Sequence, residues 1–239
     1  DVLVIGGGGR EHALTSKLLQ SSRIGKVYVA PGNSGTGKIT KNVPIDVTEI
    51  EKLVQFAKEK QIGLTVVGPD DALATGIVDE FQKYDLPIFG PTKDATQIES
   101  SKIFAKKIMQ SQGIPTARFE VFTSYEKAMN YACNQKMPIV IKVDGLALGK
   151  GVRICQSITD VQKALDDFMV KKIHGTAGDR VIIEEFLSGQ EISMHAFCDG
   201  QTAKFFPSAQ DHKPIFNGDQ GRNTGGMGII APVPWVTPE

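Results

Sequence analysis

The sequence predicts a parallel α/β domain followed by an α+β module. Short apolar runs alternate with amphipathic helical stretches up to Phe89, the order of a parallel sheet wrapped by helices. Near Pro91 that alternation stops. Beyond it, strand-like runs flank glycine-bearing turns, as in antiparallel hairpins.

In the first region Asp1–Ile5 is an apolar run that ends in Gly6–Gly9. Arg10–Gln20 follows, with Ala13, Leu14, Leu18 and Leu19 on one helical stripe. Val27–Ala30 is the second strand, and Pro31–Gly37 is rich in turn formers. Thr48–Lys60 is amphipathic through Ile50, Leu53, Val54 and Ala57. Leu64–Val67 is a strand closed by Gly68-Pro69, Leu73–Tyr84 a helix and Pro87–Phe89 a further strand. Thr92–Gln112 then reads as one long helix stopped by Gly113 and Pro115, with Ile103, Phe104, Ile108 and Met109 as core. Strands are expected at Phe119–Phe122, Ile139–Val143, Val152–Cys155 and Val181–Glu185, and helices at Tyr125–Asn134 and Ile158–Val170. Glu191–Asp199 and Ala203–Pro207 make a hairpin about Asp199-Gly200. There are no internal repeats and no low-complexity tract.

The 239 residues suffice for a substantial core. Lys plus Arg and Asp plus Glu both number 27, so no global basic field draws in nucleic acid or an acidic membrane. The apolar runs are too short to span a bilayer and no signal peptide precedes them. Both chain ends read as cut. Cys133, Cys155 and Cys198 are odd in number and widely spaced. Neither a disulfide framework nor a thiolate zinc site is expected, and a reducing compartment, the cytoplasm, fits best.

Glycines Gly6–Gly9 let backbone approach a phosphate at a helix N-terminus. Neither Gly6-Gly8-Glu11 nor Gly7-Gly9-His12 completes a dinucleotide fingerprint, and no acidic residue ends the second strand. A tight turn without a ligand is the other reading. Gly32–Ile39 nearly spells a P-loop, but Ile39 replaces the hydroxyl residue that would hold Mg²⁺ and no helix is expected to follow. Its amides either meet a phosphate or face solvent.

Asp144–Gly151 is the most informative segment. Its spacing from Gly145 to Gly149-Lys150 is one residue short of a P-loop, and apolar strands flank it on both sides. That makes it a hairpin loop whose lysine can fold over a triphosphate. Lys142, among Ile139, Val140, Ile141 and Val143, must find an anion or reach water. A protein carboxylate is the alternative to a ligand. Val181–Leu187 runs into two carboxylates with Glu191 beyond. Its backbone could bond an adenine edge, or it is a strand end with solvated acids. Gln210–Lys213 and Asn223–Gly228 are loops dense in polar groups and glycine. No serine or cysteine nucleophile is evidently paired with His212.

In order, these segments resemble the glycinamide ribonucleotide synthetase family of ATP-grasp ligases across essentially the whole chain. The resemblance rests on Val2–Gly6 through Gly9-Arg10-Glu11-His12-Ala13-Leu14, Ala30-Pro31-Gly32-Asn33, Val67-Gly68-Pro69, Phe89-Gly90-Pro91-Thr92 and Gly113–Ala117. It continues through Val140-Ile141-Lys142, Asp144–Ala147, Gly149-Lys150-Gly151-Val152, Ile183–Leu187, Gln210–Lys213 and Asn223–Gly228. The last two, with the lysine–glycine loop, are specific in combination.

The resemblance implies a pre-ATP-grasp N-domain over residues 1–98, then an ATP-grasp fold incomplete at its C-terminal end. Residues 99–118 and 190–239 would belong to the large subdomain and 119–189 to the small lid subdomain. It implies ATP with Mg²⁺ or Mn²⁺, and the substrates glycine and 5-phosphoribosylamine. A glycyl phosphate would lead to glycinamide ribonucleotide, ADP and phosphate, in de novo purine synthesis. It leaves open fusion to or association with other purine-pathway enzymes. Lys102 and Lys142 would hold ATP phosphates, and Gly149-Lys150-Gly151 would close over them. Glu184, Glu185, Phe186 and Leu187 would line the adenine and Glu191 the ribose. Asp211, His212 and Lys213 would join Lys142 and Lys150 in catalysis. Asn223, Thr224, Gly225, Gly226 and Met227 would face the substrates, with Gly9, Asn33, Ser34, Gly35 and Thr36 on the same side of the cleft. The family's metal ligands, a Glu and an Asn, lie beyond Glu239, so no metal ligand is expected within this chain and it alone should turn over poorly.

Five positions depart from the family pattern. Asp70 stands for Glu, Pro214 for Arg, Arg222 for a common proline and Ile229-Ile230 for Ala-Tyr. They bear on substrate affinity rather than on fold.

Overall fold

The run Val2–Gly6 (β1) has no polar face to offer water, and it lies at the centre of a five-stranded parallel sheet. The computed structural model describes residues 1–147, 150–218 and 220–237, in two units, Asp1–Ile108 and Met109–Glu239. In the first unit α1 (Gly9–Leu18), β2 (Val27–Pro31), α2 (Thr36–Ile39), β3 (Lys41–Asn42), α3 (Ile50–Glu59) and β4 (Leu64–Val67) follow β1. Then come α4 (Asp70–Thr75), α5 (Ile77–Gln82), β5 (Ile88–Phe89), α6 (Lys93–Ser100) and α7 (Lys102–Ser111). The sheet order is β3-β2-β1-β4-β5. Leu3 and Ile5 pack with Leu53, Ile77 and Phe81 of the helices on one face, and Val2 and Val4 with Val27, Val29 and Leu18 on the other.

Three helical expectations change. The Leu73–Tyr84 helix is broken at Gly76, whose φ of +95° ends α4 in a left-handed turn. The long Thr92–Gln112 helix is two: Ser101 is extended, and its hydroxyl accepts the Phe104 amide at 3.2 Å to start α7. The Pro31–Gly37 loop runs into the short helix α2 and strand β3, because Asn33 Oδ1 accepts the Gly35 and Thr36 amides at 2.7 and 2.9 Å.

The second unit holds β6 (Phe119–Phe122), α8 (Tyr125–Cys133), β7 (Ile139–Val143), β8 (Val152–Cys155), α9 (Ile158–Leu165) and β9 (Val181–Glu185). The strands form an antiparallel sheet in the order β6-β9-β7-β8. Its inner face, Ile139, Ile141, Val143, Cys155, Val181 and Ile183, packs on Ala128, Ala132, Val161, Leu165 and Phe168. The helix expected over Ile158–Val170 continues past α9 as a π-turn at Asp166–Val170. Beyond β9 come three separate ribbons. They pair β10 (Ala196–Cys198) with β11 (Ala203–Phe205), β12 (Gln210–Asp211) with β15 (Ile229–Ile230), and β13 (Pro214–Phe216) with β14 (Gln220–Asn223). The Asp199-Gly200 hairpin is present, but the strand expected from Glu191 shrinks to Ala196–Cys198. Ser193 meets Ala209 in an isolated bridge instead of extending the ladder.

Candidate active site

Antiparallel pairing sets the first cluster. Val140 lies opposite Glu184 and Lys142 opposite Ile182, so with the two-residue strand period all four share the face turned away from α8 and α9. There the Lys142 ammonium pairs with Glu184 Oε1. The alternative left open by the sequence, a protein carboxylate for this lysine, is therefore realised. An ammonium has three donors, and 26% of the Lys142 side chain stays exposed. A phosphate can share it without displacing Glu184.

Glu185 points elsewhere. Its carboxylate accepts the Arg118 amide at 2.9 Å and Arg118 Nε at 3.0 Å, while its own amide donates to the Arg118 carbonyl. Phe186 and Leu187 follow as exposed residues where the strand leaves the sheet. The glycine loop springs from the same sheet. Val143 N donates to the Gly151 carbonyl at 2.9 Å, and Lys150 N to Ala147 O at 2.8 Å. Lys150 is exposed and Gly151 buried. Gly149 lies outside the described residues.

The second cluster joins three sequence motifs. The Lys213 ammonium sits between Glu191, with which it pairs, and Asp211 Oδ1 at 3.2 Å. Burial pulls the Lys213 pKa down, but hydrogen bonds and charge from Glu191 and Asp211 outweigh it and raise the group above the usual lysine value. Gln210 Nε2 donates to the Glu191 carbonyl at 3.0 Å. Thr224 N and Oγ1 both donate to the Lys213 carbonyl, at 2.7 and 2.8 Å. Met227 N donates to His212 O, and His212 N to Gly228 O. The Gly226 amide donates to Thr224 Oγ1 at 3.0 Å. The His212 ring faces the Phe216 carbonyl at 3.1 Å. Asn223 ends β14 and, like Gly225, is exposed. The 210–213 and 223–228 segments thus form one bonded surface with Glu191.

The remaining candidates lie in the first unit. Lys102 opens α7. Asn33 Nδ2 donates to the Gly7 carbonyl at 2.9 Å, tying the Asn33–Thr36 turn to the glycine turn, with Gly9 and Ser34 exposed. Thr36 is buried and donates to Asn42 Oδ1 at 2.8 Å. Under the glycine turn lies a carboxylate the sequence did not single out. Glu11 is buried and accepts the Gly8 amide at 2.6 Å. A Cβ at Gly6, Gly8 or Gly68 would collide with it. One amide of the glycine turn is thus taken by the chain's own anion. Arg118 and Glu11 were missed because neither stands out by residue type; a charge beside a glycine turn or a strand end is the signal that could have found them. Asp70, one of the departures, lies 3.9 Å from Arg10 Nη1.

Among the described residues no group of three or more His, Cys, Asp or Glu side chains is placed to hold a metal ion. No described helix is long and apolar enough to cross a membrane.

Residues 1–99 match the family model described as phosphoribosylglycinamide synthetase, N domain, and residues 100–239 the model described as its ATP-grasp (A) domain. A phosphoribosylamine–glycine ligase of Caldanaerobacter subterraneus subsp. tengcongensis is 50% identical over 235 residues, which are 98% of this chain and 56% of that protein. The chain therefore spans about half the length of the curated relatives it matches. The crystal structure of phosphoribosylamine–glycine ligase from Thermotoga maritima superposes with a TM-score of 0.79 at 34% identity, covering 97% of this chain and 55% of that one. A biotin carboxylase from Campylobacter jejuni, in complex with β,γ-ATP, shares the fold alone, with a TM-score of 0.73 at 15% identity over 89% of this chain and 51% of that one.

Proposed function

Because the chain belongs to the phosphoribosylglycinamide synthetase family, we propose that it supplies the nucleotide-handling part of a ligase joining glycine to 5-phosphoribosylamine. The expected division is part of this proposal: an N-domain over 1–98, a lid over 119–189, and a large subdomain from 99–118 and 190–239. Phosphoryl transfer needs positioning and charge neutralisation rather than a protein nucleophile. Lys142, Lys150 and Lys102 neutralise phosphate oxygens of ATP. The main chain at Glu184–Leu187 reads the adenine edge, and Glu191 takes the ribose hydroxyls. The glycine carboxylate attacks the γ-phosphorus and ADP leaves. The amine of 5-phosphoribosylamine then attacks the acyl carbon of glycyl phosphate, expelling phosphate and losing a proton. Asp211, His212, Lys213 and Asn223–Met227 hold the two substrates, aided by Gly9 and Asn33–Thr36. Mg²⁺ or Mn²⁺ would offset the remaining triphosphate charge, and the cytoplasm is the proposed compartment.

The observation that carries the reading is the bonded surface of Glu191, Asp211 and Lys213 with the 223–228 loop. It brings Glu191 beside the 210–213 and 223–228 segments, which supports reading the three together as one ligand-facing surface. The test is coupled ADP release by the full-length protein. Turnover should require glycine and 5-phosphoribosylamine together, with bicarbonate or formate unable to replace glycine. ADP release indifferent to glycine overturns this choice in favour of another carboxylate–amine ligase. ATP binding with no turnover on any acid indicates a nucleotide-binding role alone.

A further inference from the structure

At the base of the glycine loop sits a carboxylate that the proposed chemistry does not use. The Asp144 side chain is 2% exposed, and Oδ2 lies 2.6 Å from Arg180 Nη2. The Asp144 amide donates to both the Ala177 and Arg180 carbonyls at 3.1 Å. Arg180, the residue before β9, thereby grips the first residue after β7 through side chain and main chain together. The next residue, Gly145, has φ +147°, and a Cβ there would lie 3.0 Å from the Ala177 Cβ. The chain leaves the sheet in a conformation that side chains resist. On the returning strand a Cβ at Gly151 would overlap Val143 and Ala147. Further along β8, Arg153 Nη2 bonds Asp167 at 2.7 Å and its guanidinium lies over the Phe168 ring. An arginine–aspartate pair therefore ties the chain at each end of the loop, at Asp144 where β7 ends and at Arg153 in β8.

A buried carboxylate is costly unless paired, and such a pair rarely adds net stability over an apolar replacement. Its place at this junction calls for a positional cause. We infer that Arg180 is a positioning residue for the loop that carries Lys150, acting through Asp144 to fix the strand end from which that loop departs. The inference rests on the reading of this loop as the cover of a nucleotide's phosphates.

ATP and AMP titrated calorimetrically into the full-length protein separate the two ideas, since only ATP carries the β- and γ-phosphates. Arg180→Ala should weaken ATP about tenfold and leave AMP within about twofold, a loss of roughly one hydrogen-bonded charge contact. Arg180→Lys should fall between, because an ammonium keeps the charge but not the fork. Asp144→Asn should follow Arg180→Ala. Equal weakening of ATP and AMP, or no change in either, overturns the positioning role. If Arg180→Ala does not fold, Arg180→Lys decides by the same ratio. A wild-type protein that binds ATP no better than AMP sinks the phosphate-cover reading and this inference with it, a signature distinct from the variants' failure.

Discussion

Residues 119–185 and 191–230 both pair their strands antiparallel, yet only the first region, whose strands are linked through helices α8 and α9, buries its side chains. In the four-stranded sheet Ile141, Val181 and Ile183 are sealed under α8 and α9. In the ribbons Phe205 is 71% exposed and Ile229 72%. The local pairing is comparable: β10–β11 has a regular antiparallel register just as β7–β8 does. What differs is the second layer. A strand pair without a covering helix or a third strand gains its ladder bonds but little apolar burial. Hairpin formation is therefore a poor guide to where stability resides.

The largest test of that contrast is truncation. Phe168→Ala, in the sealed region, should cost about 3–5 kcal/mol of unfolding free energy, since it opens a cavity among packed neighbours. Phe205→Ala should change it by less than about 0.5 kcal/mol. Urea unfolding of each variant measures both. Equal losses would break the comparison by showing that the ribbons hold buried weight in solution.

The cysteines sharpen it without altering packing. Cys155 lies in β8 with no exposure, and burial pushes its thiol up to about 11, with Asp160 adding to the rise. Cys198 lies in β10 and is exposed, as is Cys133. The thiolate is the reactive form, so at pH 8 iodoacetamide should label Cys133 and Cys198 while Cys155 stays unmodified. The sign follows from linkage. A folded pKa above the unfolded 9.0 means the native state holds its proton longer, so stability falls as pH rises from about 9 towards 11. Labelling of Cys155 at the rate of Cys198 would mean the sheet opens far more readily than its burial indicates.

Much of this architecture was legible in the sequence, and the misses share a cause. A parallel strand buried on both faces leaves an unbroken apolar run, so Val2–Ile5 was plain. The helix breaks at Gly76 and Ser101 were not, because the apolar periodicity continues through both. Only the backbone turn at one and the hydroxyl cap at the other reveal the interruption. In the candidate site, Lys142 and Glu184 could each be picked out singly. Their pairing depends on the β7–β9 register, which no local pattern encodes. Arg118 and Arg180 escaped because they belong to no glycine or carboxylate motif. They become visible only as the partners of Glu185 and Asp144.

The smallest expected effect isolates local bonding from burial, because both regions carry a turn built around an aspartate. At the start of α9, Ser157 Oγ accepts the Asp160 amide at 3.2 Å and Asp160 accepts the Ser157 amide at 3.0 Å. In the β10–β11 turn, Asp199 accepts the Thr202 and Gln201 amides at 2.7 and 3.0 Å, and these bonds hold its carboxyl below the usual aspartate value. Ser157→Ala should lower global stability by about 1 kcal/mol, since α9 is docked on the sealed core. Asp199→Ala should leave the unfolding midpoint unmoved and speed only amide exchange at Gln201 and Thr202, because that hairpin can open without exposing a core. A depressed carboxyl keeps its contribution above the unfolded value of 3.8 and loses it as pH falls through the folded one. Protection of the Thr202 amide, its exchange rate taken relative to an unstructured amide at the same pH, should therefore fall only in acid. If Asp199→Ala shifted the global midpoint as far as Ser157→Ala, the ribbon would belong to the same cooperative unit as the sheet, and burial would no longer explain the difference between them.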